Sequence, residues 1–144
     1  MTIREIMVTT DFSETDRTVV AQVVELASQL GLSHVTLFHV HAAPELTDFG
    51  QAVPLGKGNE MKDAVTKRLD QWAEALSSAQ VRIRPRTAAG RPSHAIVEAS
   101  KDVDLLVMAD RGHGRARRFL LGSTTDRVVR GAECDVWVAR VGAD

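Results

Sequence analysis

Between Ala109 and Ser123 the chain reads Ala-Asp-Arg-Gly-His-Gly-Arg-Ala-Arg-Arg-Phe-Leu-Leu-Gly-Ser, a set of residues suited to holding an anion. Gly112 and Gly114 can carry the backbone through positive φ and bring it close to a ligand. Gly122-Ser123 stands where the free N–H groups of a helix N-terminus and a hydroxyl would face a phosphate. The preceding run, Asp104-Leu105-Leu106-Val107-Met108, has the continuous apolar character of a strand buried on both faces. A strand, a glycine loop and a helix N-terminus in succession point to a nucleotide phosphate site. Arg111, Arg115, Arg117 and Arg118 lie beside it and could clamp phosphates or a phosphorylated partner. Arg115, Arg117 and Arg118 read more simply as a solvated basic surface. The lysine-bearing P-loop pattern is absent, as is a water-activating residue paired with a metal carboxylate, so fast phosphoryl transfer has no visible machinery.

The elements that must position this loop alternate along the chain. Ile3 to Thr9 is a short apolar strand, and Asp11 and Ser13 after it are both good helix caps. From Thr15 to Leu30, Val19, Val20, Val23, Val24, Ala27 and Leu30 recur at helical spacing, with Gly31 as the stop. Val35 to Val40 is a second buried strand. Pro44 to Gly58 lacks periodicity and reads as a loop. Asn59 to Ser78 is a helix with Met61, Ala64, Val65, Leu69, Trp72, Ala73 and Leu76 on one stripe, and Val81 to Arg84 alternates as a half-exposed strand. Pro92 suits the first turn of a short helix running to Ser100. Asp104 to Met108 is the fourth strand, a fourth helix follows Gly122, and Asp135 to Ala139 is the fifth strand. Strands separated by helices pair in parallel through right-handed crossovers, which predicts an open, doubly wound α/β sheet of five strands and four helices. In such sheets ligands bind beyond the carboxyl ends of the strands where strand order reverses. The loops after strands one, two and four should therefore converge, bringing Thr9-Thr10-Asp11, Val40-His41 and Ala109 to Gly122 to one crevice.

The remaining reactive side chains carry weaker signals. His39 and His41 share a strand face and His34 lies nearby, but no cysteine or carboxylate completes a metal set, so a structural role is expected. Cys134 precedes the last strand, where a buried apolar thiol is the ordinary expectation. Trp72 and Trp137 read as core or interface aromatics, since no basic-aromatic interleaving marks a nucleic-acid platform.

Composition narrows the classes. At 144 residues, 44% of them hydrophobic, the chain can bury one core and is too short for two ordinary domains, so residues 1–144 are read as one domain. A net charge of −1 from 18 basic and 19 acidic residues gives no footprint for nucleic acid or an anionic membrane. No apolar run approaches the ~20 residues of a membrane span. The single cysteine excludes an internal disulfide and suits a reducing, cytoplasmic setting.

Thr9-Thr10-Asp11-Phe12-Ser13-Glu14, Phe38-His39-Val40, Gly90-Arg91-Pro92, Asp104 to Met108 and the loop to Gly122-Ser123 together resemble the universal stress protein (UspA) family, over essentially the whole chain. That family's nucleotide-binding branch carries a glycine, two residues, a second glycine, nine residues, then glycine and serine or threonine. Counted back from Gly122-Ser123, the second glycine is Gly112 and the first position is Ala109, a departure from the pattern. A methyl group is tolerated if the position needs only a small side chain; if it needs positive φ, alanine costs about 1 kcal/mol or more.

The resemblance implies an ATP site with Mg²⁺. Asp11 would accept from the ribose or adenine, Thr9 and Thr10 would line the base pocket, Val40 would contact the adenine and Met108 the sugar. Gly112, His113, Gly122, Ser123 and Thr124 would hold the triphosphate, flanked by Arg111. Taken singly, Asp11 and Ser123 read equally as helix N-caps. The resemblance further implies a nucleotide-dependent regulatory or stress-response module with slow or no hydrolysis and a regulatory protein partner. It also implies a homodimer through the last strand at Val136, Trp137 and Val138. The alternative is a dimeric interaction protein of the same family that binds no nucleotide.

Overall fold

The computed structural model describes residues 2–41, 55–110 and 122–141. The elements run β1 (Ile6–Thr9), α1 (Glu14–Gln29), β2 (His34–His41), α2 (Leu55–Leu76), β3 (Arg82–Ala89), α3 (Pro92–Ala99), a 3₁₀ turn (Ser100–Asp102), β4 (Leu105–Asp110), α4 (Ser123–Gly131) and β5 (Asp135–Arg140). The five strands form one parallel sheet in the order β3-β2-β1-β4-β5. This is the doubly wound architecture expected from the alternating pattern.

The side-chain period of two in a strand, with helices on both faces of the sheet, explains why β1 is apolar from Ile6 to Val8 and β4 from Leu105 to Ala109. Ile6, Val8, Leu105, Val107 and Ala109 pack into the layer under α1 and α2, with Val19, Val20, Val23, Leu69 and Trp72. Met7, Leu106 and Met108 face the opposite layer, with Phe38, Ile96, Ala99 and Val128 from beneath α3 and α4. Full burial of each such aliphatic side chain contributes about 1.5–3 kcal/mol. Of the stripe read in α1, Val19, Val20, Val23, Val24 and Ala27 are buried, whereas Leu30 is the exposed C-cap residue; Gly31 at φ +75° ends that helix in the left-handed region. Among the described residues no helix is long and apolar enough to cross a membrane.

Several boundaries differ from the sequence reading. β3 runs past Arg84 through Pro85 to Ala89, which an edge strand tolerates because the missing N–H of proline faces outward. Of the segment read as a loop over Pro44 to Gly58, Leu55–Gly58 belongs to α2 and the remainder lies outside the described residues. Ala109 and Asp110, read as the start of the glycine loop, complete β4. Cys134 is only partly buried, because β5 lies at the sheet edge. For the same reason Trp137 is 50% exposed.

Candidate functional site

The chain leaves β1 toward β2 and returns in β4 on the other side of β1, so the loops above β1 and β4 diverge and open a crevice at that reversal. A cleft of about 500 Å³ lies there, at the carboxyl ends of β1, β2 and β4. It brings together Thr9, Thr10, Asp11, Val40, Met108, Ala109, Gly122, Ser123 and Thr124, from the three strand ends expected to converge. Arg111, Gly112 and His113 lie outside the described residues, as do Gly114, Arg115, Arg117 and Arg118.

The cleft floor is apolar, made by Phe38, Ile96 and Met108 from the α3 side of the sheet. Its β1 wall is a tightly bonded turn. The Asp16 carboxylate, 2% exposed, accepts through one oxygen, Oδ2, the Thr10 hydroxyl at 3.2 Å and the Asp11 N–H at 2.8 Å. Thr10 Oγ1 accepts the Phe12 N–H at 2.8 Å, and Asp11 Oδ1 accepts the Ser13 N–H at 3.2 Å. His39 Nδ1 meets the Thr10 carbonyl oxygen at 2.7 Å. Ser13, not Asp11, caps α1, its Oγ accepting the Asp16 N–H at 3.1 Å.

Within this turn Phe12 sits at φ +70°, the one non-glycine positive φ among the described residues. Left-handed backbone costs an L-residue about 1–2 kcal/mol. The Phe12 ring offsets this by packing on His39 at 4.8 Å and edge-on to Trp72 at 5.4 Å, under the Arg68 guanidinium at 4.5 Å.

The opposite wall is the start of α4. Its N-cap is Gly122, at φ −58° and with no side-chain cap bond, so Ser123 is the first helical residue and not the cap the sequence allowed. The first-turn N–H groups have no intrahelical acceptor by construction of the helix, which makes this end a donor surface for an anion. A Cβ placed on Gly122 would meet no atom within 4 Å, so the glycine leaves room rather than relieving strain. Ala109 lies inside β4 without positive φ, so its methyl group is unstrained. At the cleft edge Asp110 stands 3.9 Å from Arg140.

The histidines do not converge. His34 Nε2 pairs with Glu5 at 3.0 Å, and His39 serves the β1 turn. Burial holds the His41 pKa below its ordinary value, helped by His39 and Lys62, which favours the neutral ring. Among the described residues no group of three or more histidine, cysteine or acidic side chains could hold a metal ion. Burial pushes the Cys134 thiol up, with Asp135 adding to the effect, so it is a poor nucleophile.

Sequence reasoning passed over Asp16, and named Phe12 and His39 without their contacts in the β1 turn. A signal for Asp16 was present: it falls on the same helical stripe as Val19, Val20, Val23 and Val24, and a carboxylate in an apolar register is there to bond something.

The sheet order and its flanking helices define an α/β protein with the adenine nucleotide alpha hydrolase-like fold. The sequence profile of the universal stress protein family matches residues 2–140, and the chain belongs to that family. It is 32% identical over 127 residues to universal stress protein A homolog 2 of Coxiella burnetii, covering 82% of this chain and 84% of the relative. Among solved structures, that of the hypothetical protein MJ0577 superposes with a TM-score of 0.76 at 23% identity over 100% of both chains. A universal stress protein in complex with cAMP superposes with a TM-score of 0.66 at 22% identity, over 97% of this chain and 98% of the other.

Proposed function

We propose that the cleft binds ATP together with Mg²⁺ and that the protein is a nucleotide-dependent regulatory module in a stress response, with slow or no hydrolysis. The observation that carries the reading is the division of one cleft into two unlike ends. The Asp11 carboxylate and the hydroxyls of Thr9 and Thr10 stand at the β1 end, and the uncapped N-terminus of α4 at Gly122 to Thr124 stands across an apolar floor. Ribose hydroxyls are donors and suit a carboxylate; phosphates are acceptors and suit helix N–H groups and hydroxyls. Met108, Phe38 and Val40 supply the apolar surface an adenosine needs, and about 500 Å³ falls in the range of small-molecule sites. A fold neighbour solved with cAMP supports the same ligand class.

Mg²⁺ would neutralise phosphate charge when the nucleotide is bound. With no three-carboxylate set among the described residues, the ion would be held mainly by phosphate oxygens and water, as this ion commonly is. This chain's own contribution is to bind and orient: α4 holds the phosphate end and the β1 turn holds the nucleoside.

A second reading, partner binding through β5 without nucleotide, is favoured by one observation, the half-exposed Trp137 on an edge strand. Calorimetric titration of the purified protein with ATP and Mg²⁺ separates the two. Micromolar affinity, on the order of −8 kcal/mol, is the expected result. Absence of binding in titration, with no nucleotide copurifying, leaves the second reading.

A further inference from the structure

We propose that Asp16 is a positioning residue of the cleft, setting its affinity for the nucleoside by holding Thr10 and Asp11 in place; the inference rests on the nucleotide reading above. Asp16 lies on the first turn of α1, five residues beyond Asp11, yet its carboxylate returns to the end of β1 and lines the cleft. One oxygen gathers two donors from consecutive residues, the Thr10 hydroxyl and the Asp11 N–H. The Thr10 hydroxyl oxygen, so oriented, accepts the Phe12 N–H. The chain from Thr10 to Phe12 is thereby tied to one buried carboxylate, in addition to the ring packing that holds Phe12.

That turn would not hold itself. Phe12 at φ +70° is a conformation an L-residue leaves when its neighbours allow, and relaxation there would swing the adjoining Asp11 side chain. Bonds to a charged acceptor are stronger than neutral ones. Asp16 is 2% exposed, so water cannot readily replace it. A solvent-facing acid in the first turn of a helix would assist the helix dipole; the structure turns this one inward instead. Its effect should reach the nucleoside end of the cleft and leave the α4 end alone.

The test is a set of titrations with adenosine and with ATP on wild type, Asp16→Ala, Asp16→Asn, Asp11→Ala and the Asp11→Ala/Asp16→Ala double variant. Asp16→Ala is expected to weaken adenosine and ATP by the same factor, about tenfold or more, from loss of two bonds to a charged group. Asp16→Asn can keep its amide oxygen as the shared acceptor for the Asp11 N–H and the Thr10 hydroxyl, and should stay within about threefold of wild type. In the Asp11→Ala background the Asp16→Ala loss should shrink to under about threefold, because the two act as one unit.

The proposal is overturned if wild type binds both ligands and Asp16→Ala binds them equally well. Equal losses in the two backgrounds, a loss for ATP alone, or an Asn variant as weak as the Ala variant would also overturn it. If wild type binds neither ligand, the nucleotide reading itself fails and takes the proposal with it.

Discussion

The Ser77 hydroxyl oxygen accepts the Ile83 backbone N–H at 2.9 Å, on the outer side of β3. The Arg82 N–H reaches the Ser33 carbonyl on β2's side and the Gly90 N–H reaches His41, so the backbone N–H groups of even-numbered residues of β3 face β2 and those of odd-numbered residues face away from the sheet. Ile83 is thus occupied by Ser77, and Pro85 has no N–H to offer. This edge of the sheet is blunted against another strand over that stretch. β5, at the opposite edge, contains no proline and exposes Trp137.

The asymmetry favours assembly through β5. Wild type is expected to sediment as a dimer at micromolar concentration, with Trp137 on a two-fold seam flanked by Val136 and Val138, where one substitution acts twice. Trp137→Asp should sediment as a monomer. A monomeric wild type, or a variant that stays dimeric, would show that the contact lies elsewhere.

Gly122→Val separates binding from stability. The added side chain enters open space at an ordinary φ, so the melting temperature should move by no more than about 2 °C, consistent with a change below 1 kcal/mol. ATP affinity should fall at least tenfold, about 1.4 kcal/mol, because the branch occupies the approach to the α4 N–H groups. Unchanged affinity would remove α4 from the site.

For Ala109→Gly the expected signs are opposite. The residue is 8% exposed inside β4, where glycine costs about 0.5–1 kcal/mol in backbone entropy and loses a packed methyl. A drop of a few degrees in melting temperature should accompany ATP affinity within about threefold of wild type. A tenfold change in affinity in either direction would mean that the alanine governs the loop beyond it.

Asp104 gives a pH signature. Its carboxylate accepts the Arg4 and Glu5 N–H groups, both at 2.9 Å, tying the approach to β4 to the approach to its sheet neighbour β1. Those two bonds hold its pKa below the ordinary 3.8. A depressed carboxylate stabilises the fold fully above its unfolded value and loses that contribution as pH falls through the folded one. Asp104→Asn should therefore be less stable than wild type in denaturant titrations at pH 7, with the gap closing below about pH 4. A gap that persists at pH 2–3 would assign the effect to shape and not to charge.

Much of this molecule was legible without coordinates. The strands and helices follow from apolar periods of 2 and 3.6, properties of neighbouring residues that survive in one dimension, and helix-length spacers dictate parallel crossovers. Segments as distant as Asp11, Val40 and Gly122 could be placed at one crevice because strand ends share one side of a parallel sheet. The uncertain points were choices between partners equally near in sequence. Asp11 and Ser13 are both capping residues, and Gly122 and Ser123 both stand before α4; which one caps depends on backbone dihedrals that residue type only biases.

Tertiary structure alone decided the rest, because the deciding bonds join chain segments that the sequence does not order relative to one another. How far Trp137 is covered is one such point: the packing around the edge strand β5 leaves it half exposed. Ala109 could have needed positive φ, and its place inside β4 removed that demand. The hydrogen bond from His39 to Thr10 and the packing of Phe12 on His39 and edge-on to Trp72 exist because β2 lies beside β1 and α2 packs over β2. A strained φ at Phe12 is permitted where several remote groups hold it, and no local pattern announces that they will meet.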